Sequence, residues 1–264
     1  MPHESSIPKM QIKRPVPVLL VVVLIATCIP SASPAAPIPT APTPSLPTTV
    51  TATGHALSSD FDLAFYRQLV RNGFDAPTHL EPLRRWTTNP RVYLRIVDDA
   101  GAPIDSKTLD STEATIRETI PMWTAGTLTA ATVERGTDTR LGADGWLTVS
   151  WPSVPGPGGI CGAADVGRPG GGIMLYYKSG CGCAGGPVTR PRTVRHEIGH
   201  AMGFWHTDSA ADLMAGIGVA GCDARPSPRE LAHAAIAYHR PVGNTDPDTD
   251  PASAPGVSPA QLLP

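Results

Sequence analysis

HEIGHAMGFWH, residues 196–206, places three of the chain's eight histidines within eleven positions, at steps of four and then six. An α-helix turns about 100° per residue, so side chains four apart lie nearly over one another. His196 and His200 therefore present two imidazoles to one point from a rigid support, the geometry a zinc ion needs. His206 falls about 120° off that face if the helix continues. Gly203 gives the helix a reason to stop, because glycine adopts the left-handed conformation that ends helices and turns the chain. Such a turn returns His206 to the same point as a third ligand. Three neutral imidazoles leave tetrahedral zinc one open position, where the pKa of a water falls towards about 7. Glu197, beside the first ligand, is placed to take that water's proton and pass it to a leaving amine. HExxH alone is a moderate signal; the glycine and third histidine at these offsets sharpen it.

Working outward, residues 59–72 carry Phe61, Phe65 and Leu69 at helical spacing, with Gly73 as a stop. Residues 91–97 alternate Val92, Leu94 and Ile96, which is strand patterning. Leu109, Ile116 and Ile120 share one helical face over 105–120, and Pro121 should end or kink that helix. Residues 127–134, 146–151 and 173–177 read as strands, the last after a glycine-rich stretch at 155–172. The histidine-rich helix starts near Thr193. A final helix opens with Ser227 as N-cap, Pro228 in its first turn and Glu230 completing a capping box. Leu231, Ala234, Ala235 and Tyr238 should form its buried stripe, and Pro241 closes it. This order makes an α/β (α+β) domain with a mixed sheet rather than a doubly wound one.

Of 30 prolines in 264 residues, many crowd before residue 50 and after residue 240. What lies between is roughly 180 residues, enough for one domain with a sizeable core. Net charge is −2 in all, and residues 1–28 carry +2 of it, so the remainder is near −4. Nothing in that balance points to nucleic acid. Lys9, Lys13 and Arg14 precede an apolar run at 16–29 that is right for a signal peptide and short for a membrane span. Ile25-Ala26-Thr27-Cys28 resembles a bacterial lipobox, with Thr27 where a smaller residue is usual. Either Cys28 is lipidated and attaches the chain to a membrane, or it is lost with the signal. In both cases the protein is extracytoplasmic. Residues 29–56 are Pro/Ala/Thr-rich and read as an extended tether, and 242–264 as a tail of the same kind. Cys161, Cys181, Cys183 and Cys222 remain, an even number that suggests two disulfides in an exported protein. Cys181 and Cys183 are poorly placed to join each other, so each should reach Cys161 or Cys222. His3, His55, His79, His233 and His239 have no partner at ligand spacing and read as solvated.

The string His196-Glu197-Ile198-Gly199-His200-Ala201-Met202-Gly203-Phe204-Trp205-His206 resembles the metzincin clan of zinc metallopeptidases. Asp212-Leu213-Met214 is similar to the clan's methionine turn, which implies Met214 as a hydrophobic floor under the imidazoles. Thr207 and the element order resemble matrixins, including bacterial matrixin-like domains. The resemblance spans about residues 90–240 and is specific over 196–214. It implies a metzincin-like domain at 90–241, with a mixed twisted sheet, a long helix, the zinc-binding helix, the methionine turn and a C-terminal helix. Residues 57–89 are then a helical extension or a short pro-segment. A cysteine-switch motif and acidic calcium loops are lacking, so one catalytic Zn2+ and no calcium is expected.

By the same analogy, 162–166 is a sheet edge on which an extended substrate lies. Tyr176, Tyr177 and Trp205 are expected in the core. The activity implied is that of an exported, monomeric zinc endopeptidase acting on protein or peptide, with His196, His200 and His206 on the metal and Glu197 as general base. The alternative is a catalytically silent surface binding protein stapled by zinc.

Overall fold

The computed structural model describes residues 61–216 and 221–245. The expectations for the signal, Cys28, the tether, His3 and His55 lie outside the described residues, as does most of the tail. Over the described residues the fold is mixed α/β, with five strands and four α-helices, in the order and class expected. The strands are β1 (Arg91–Arg95), β2 (Thr132–Gly136), β3 (Trp146–Ser150), β4 (Gly162–Ala164) and β5 (Gly172–Leu175). Their spatial order is β2-β1-β3-β5-β4. Pairing is parallel from β2 across to β5, and β4 alone runs antiparallel, on the outer edge against β5.

Helix α1 (Leu63–Arg71) is capped by Asp62, whose carboxylate accepts from the Ala64 and Phe65 amides. It stops one residue before the expected glycine, because Asn72 itself takes the left-handed conformation at φ 60°. Helix α2 (Ser106–Trp123) runs past Pro121, which falls in its last turn. Trp123 from that end lies against α3 (Pro191–Met202) and donates its indole N–H to the Arg195 carbonyl at 3.1 Å. Helix α4 (Pro228–Tyr238) has the full capping box expected at Ser227 and Glu230. One apolar cluster joins Leu69 and Trp86 to Leu94, Ile116, Leu147 and Ile198, so residues preceding β1 share the core of those that follow it.

Three expectations are corrected. Residues 127–131 are not strand: Thr124 and Leu128 close a turn there, through the Thr124 hydroxyl and the Leu128 backbone, and pairing starts only at Thr132. The buried stripe of α4 is Glu230, His233, Ala234, Ile236, Ala237 and Tyr238, rotated from the one read off the apolar residues. Leu231 and Ala235 are only half-buried. The rotation follows from Glu230 and His233, two polar residues that find partners inside. His233 is therefore not solvated. It stacks on Phe61 with centroids 5.4 Å apart, donates through Nδ1 to the Arg229 carbonyl and accepts at Nε2 from the Asp62 amide.

Two disulfides are present, Cys161–Cys181 and Cys183–Cys222. The first ties the segment leading into β4 to the loop before α3. The second joins that loop to the segment before α4, where the Arg192 amide also donates to the Cys222 carbonyl.

Candidate metal centre

Helix α3 ends where the sequence suggests. Gly203 sits at φ 116°, and its amide and that of Phe204 close the helix on the His200 and Gly199 carbonyls. Beyond the turn Phe204 goes into the core and stacks near Trp123, while His206 swings back over α3. The Nε2 atoms of His196 and His200 are 3.1 Å apart, and those of His200 and His206 are 3.2 Å apart. The ligand atoms of all three lie within 4.8 Å of one another.

The other ring nitrogens decide the chemistry. His196 Nδ1 faces the Leu213 carbonyl and His200 Nδ1 the Phe204 carbonyl, each at 2.8 Å, and His206 Nδ1 faces Asp75 Oδ2 at 2.9 Å. Carbonyl and carboxylate oxygens only accept, so each Nδ1 carries a proton, which in a neutral ring leaves the lone pair on Nε2. Burial holds His196 down to about 4 and His200 well below its ordinary value, so neither takes up a second proton at neutral pH. Three lone pairs aimed at one point repel unless a cation lies between them. Three imidazoles are a donor set that would hold a transition-metal cation such as zinc, and the carbonyl and carboxylate partners fix the ring orientations as such sites require.

Glu197 lies on the same turn, 4% exposed, on the wall of a cleft of about 590 Å3 that the three histidines also line. Its Oε2 is buried without a hydrogen-bond partner among the described residues, and burial pushes the carboxyl up to about 8. Edge strand β4 comes so close that a Cβ on Gly162 would stand 2.6 Å from Glu197 Cγ and Cδ. Met214 is fully buried under α3, where a Cβ on Gly199 would stand 2.6 Å from its sulfur. The bend carrying it is closed by Thr207 and Met214, with the Thr207 amide donating to the Met214 carbonyl at 2.8 Å.

The three histidines and Glu197 thus share one cleft, with Gly203 at the turn and Met214 packed behind. Residues 162–164 are an edge strand and line the cleft as well. Trp205 corrects another expectation: alternation after the turn points Phe204 inward, so Trp205 faces the cleft, under the Arg84 guanidinium at 5.6 Å. Tyr176 and Tyr177 are half-buried, the latter donating to Asp98 Oδ2 at 2.9 Å. Asp75 was not legible as a site residue, since it stands 131 positions before His206 in a loop without motif. Glu230 was legible only as a cap, yet it also accepts from the Leu213 and Met214 amides, at 2.9 and 2.8 Å.

No protein-family model matches the sequence, and no curated protein matches it either. Among solved structures, the crystal structure of metalloproteinase-II from Bacteroides fragilis is similar over 59% of this chain, at 15% identity and a TM-score of 0.40. The match takes in 55% of that chain, so the present protein spans about half its length.

Proposed function

We propose that the protein is an exported zinc-dependent endopeptidase, with His196, His200 and His206 as metal ligands and Glu197 as general base. One observation carries the reading: three histidine Nε2 atoms converge at 3.1 and 3.2 Å spacing, next to a buried glutamate with a side-chain oxygen that has no partner among the described residues. A zinc ion held by the three imidazoles supplies a Lewis acid that polarises a carbonyl and acidifies water. The chain's own residues do the rest.

Among the described residues, Glu197 is the only acidic side chain on the cleft wall besides Asp75, which is engaged with His206. Burial raises its pKa, and its charged form would be favoured by a cation held at the three imidazoles. Ionised, it takes a proton from the attacking water at a carboxylate oxygen. It then returns that proton to the nitrogen that leaves, which matches the proton demand of amide hydrolysis. The β4 edge offers its backbone to an extended peptide, so that main-chain hydrogen bonds align a scissile bond over Glu197. The two disulfides and the signal-like N-terminus support export.

Glu197→Gln tests the reading. The variant should bind one equivalent of zinc, as the parent does, and lose hydrolysis of an unstructured protein such as casein by at least about a hundredfold, the scale of general-base catalysis. Cleavage at the parent's rate would refute the mechanism. Zinc in the parent without turnover of any peptide library would favour the silent, zinc-stapled binder.

A further inference from the structure

The cleft continues from His196 towards the N-terminus of α3, and its wall there is built from Arg192 and Thr193. These two side chains are out of balance. Arg192 Nη1 is shielded from solvent and has no acceptor among the described residues, and no acidic side chain there pairs with the guanidinium. Thr193 is 4% exposed, and its Oγ1 is likewise buried without a partner. Arg190 adds a second positive charge, although its Nε is occupied by the Gly182 carbonyl at 3.1 Å. Burial and the Arg190 charge both pull the Arg192 guanidinium below its ordinary value. The positive end of the α3 dipole lies at the same place. Burying a guanidinium nitrogen and a hydroxyl without partners is costly, and one planar anion would satisfy both.

Resting on the reading of the site as a peptide hydrolase, we infer that Arg192 and Thr193 form a specificity subsite for a carboxylate of the substrate, held at a fixed distance from the cleaved bond. That carboxylate is either an Asp or Glu side chain or the peptide's own C-terminus. The guanidinium fork receives its two oxygens, and the Thr193 hydroxyl donates to one of them. Arg192 is therefore a specificity residue, and Glu197 keeps the chemistry.

The test uses the zinc-loaded full chain and a positional-scanning peptide library, each member made with a free and an amidated C-terminus. Asp and Glu should exceed Asn and Gln at one fixed position by about tenfold or more in kcat/KM, the scale of a hydrogen bond to a charged group. If amidation removes the preference and side chains at every position are neutral to it, the terminus is the ligand. Arg192→Glu should reverse the preference in favour of Lys at that position, and Arg192→Gln should abolish it. A binding arm uses zinc-loaded Glu197→Gln and fluorescence anisotropy of a Glu peptide and its Gln twin. The Glu peptide should bind about tenfold tighter, and adding Arg192→Gln should erase the difference. Binding of this kind without cleavage by the parent would remove the hydrolase reading and keep the subsite. Cleavage with no acidic preference at any position or terminus, or a preference unchanged in Arg192→Glu, would overturn the subsite alone.

Discussion

Gly203→Ala is the sharpest probe of how the turn makes the site. At φ 116° and ψ 12° the residue lies where L side chains are rarely found, a strain of about 1–3 kcal/mol. A Cβ there would also stand 2.9 Å from the Arg84 carbonyl carbon and still closer to its oxygen. That carbonyl is backbone, and its neighbour Trp86 is anchored by an indole N–H to the Ala201 carbonyl at 2.8 Å, so the segment cannot step aside cheaply. Overpacking of this kind adds about 1–3 kcal/mol. Together the two make a loss of about 2–6 kcal/mol, a large share of a typical 5–15 kcal/mol. Gly101→Ala is the control: φ is 85° there and nothing lies within 4 Å of the added Cβ, so it carries strain without collision. Urea unfolding of both variants, with zinc affinity measured by chelator competition, separates the contributions. Gly203→Ala should be destabilised well beyond Gly101→Ala, and it should bind zinc more weakly because His206 is displaced with the turn. Equal stability losses in the two variants, or parental zinc affinity in Gly203→Ala, would refute this account of the turn.

Two further outcomes are expected. Asp75→Ala should weaken zinc binding about tenfold, the low end of the usual 10–100-fold effect of such partners, because the Asp75 side chain is 43% exposed. Chelator competition reads this, and an affinity equal to the parent's would show that Asp75 does not orient His206. His233 has its pKa lowered chiefly by burial, against the raising effect of its bond to the Arg229 carbonyl. The unfolded chain takes up that proton below about pH 6.5 while the folded chain resists it, so the unfolded state binds more protons and stability falls as pH drops through that range. His233→Gln should therefore flatten the slope of unfolding free energy between pH 7 and pH 5. Since His196 and His200 titrate in parent and variant alike, an unchanged slope would mean that His233 is not held neutral in the folded protein.

What could be read in the sequence was local. Helical angle and one glycine suffice to bring His196, His200 and His206 together, because all three lie within eleven residues and the turn at Gly203 needs no distant partner. The cap of α4 was legible for the same reason, since Ser227 and Glu230 satisfy each other across three residues. Asp75 and Trp205 were not. The first reaches His206 from the loop between α1 and β1, a meeting that the packing of α1 against the rest of the core arranges. Trp205 is apolar and was expected inside, but the turn at Gly203 had already given the inward direction to Phe204. His233 failed in the opposite sense. Polarity placed it in solvent, whereas Phe61, Phe65 and two backbone partners give a neutral imidazole a complete environment.

The capping box has a role that spacing could not disclose. Glu230 is fully buried, and burial raises its pKa against the lowering effect of the backbone amides it accepts. One of its oxygens accepts from the Ser227 amide at 2.6 Å and the Leu213 amide at 2.9 Å, and the other from the Met214 amide at 2.8 Å. The Leu213 carbonyl, on the far side of the same peptide group, receives the proton of His196 Nδ1. A hydrogen-bonded chain thus runs from the first turn of α4 through the bend at Met214 to His196 Nδ1, the ring nitrogen opposite the one that faces the other imidazoles. Asp212 steadies the bend from the other side, accepting from Arg229 at 2.6 Å and from the Thr207 hydroxyl at 3.1 Å. Such an arrangement explains why a carboxylate is kept in the core at all. An apolar residue at position 230 would leave three amides unsatisfied and free the carbonyl that fixes the His196 tautomer, so the orientation of the first imidazole depends on a helix that never touches the cleft.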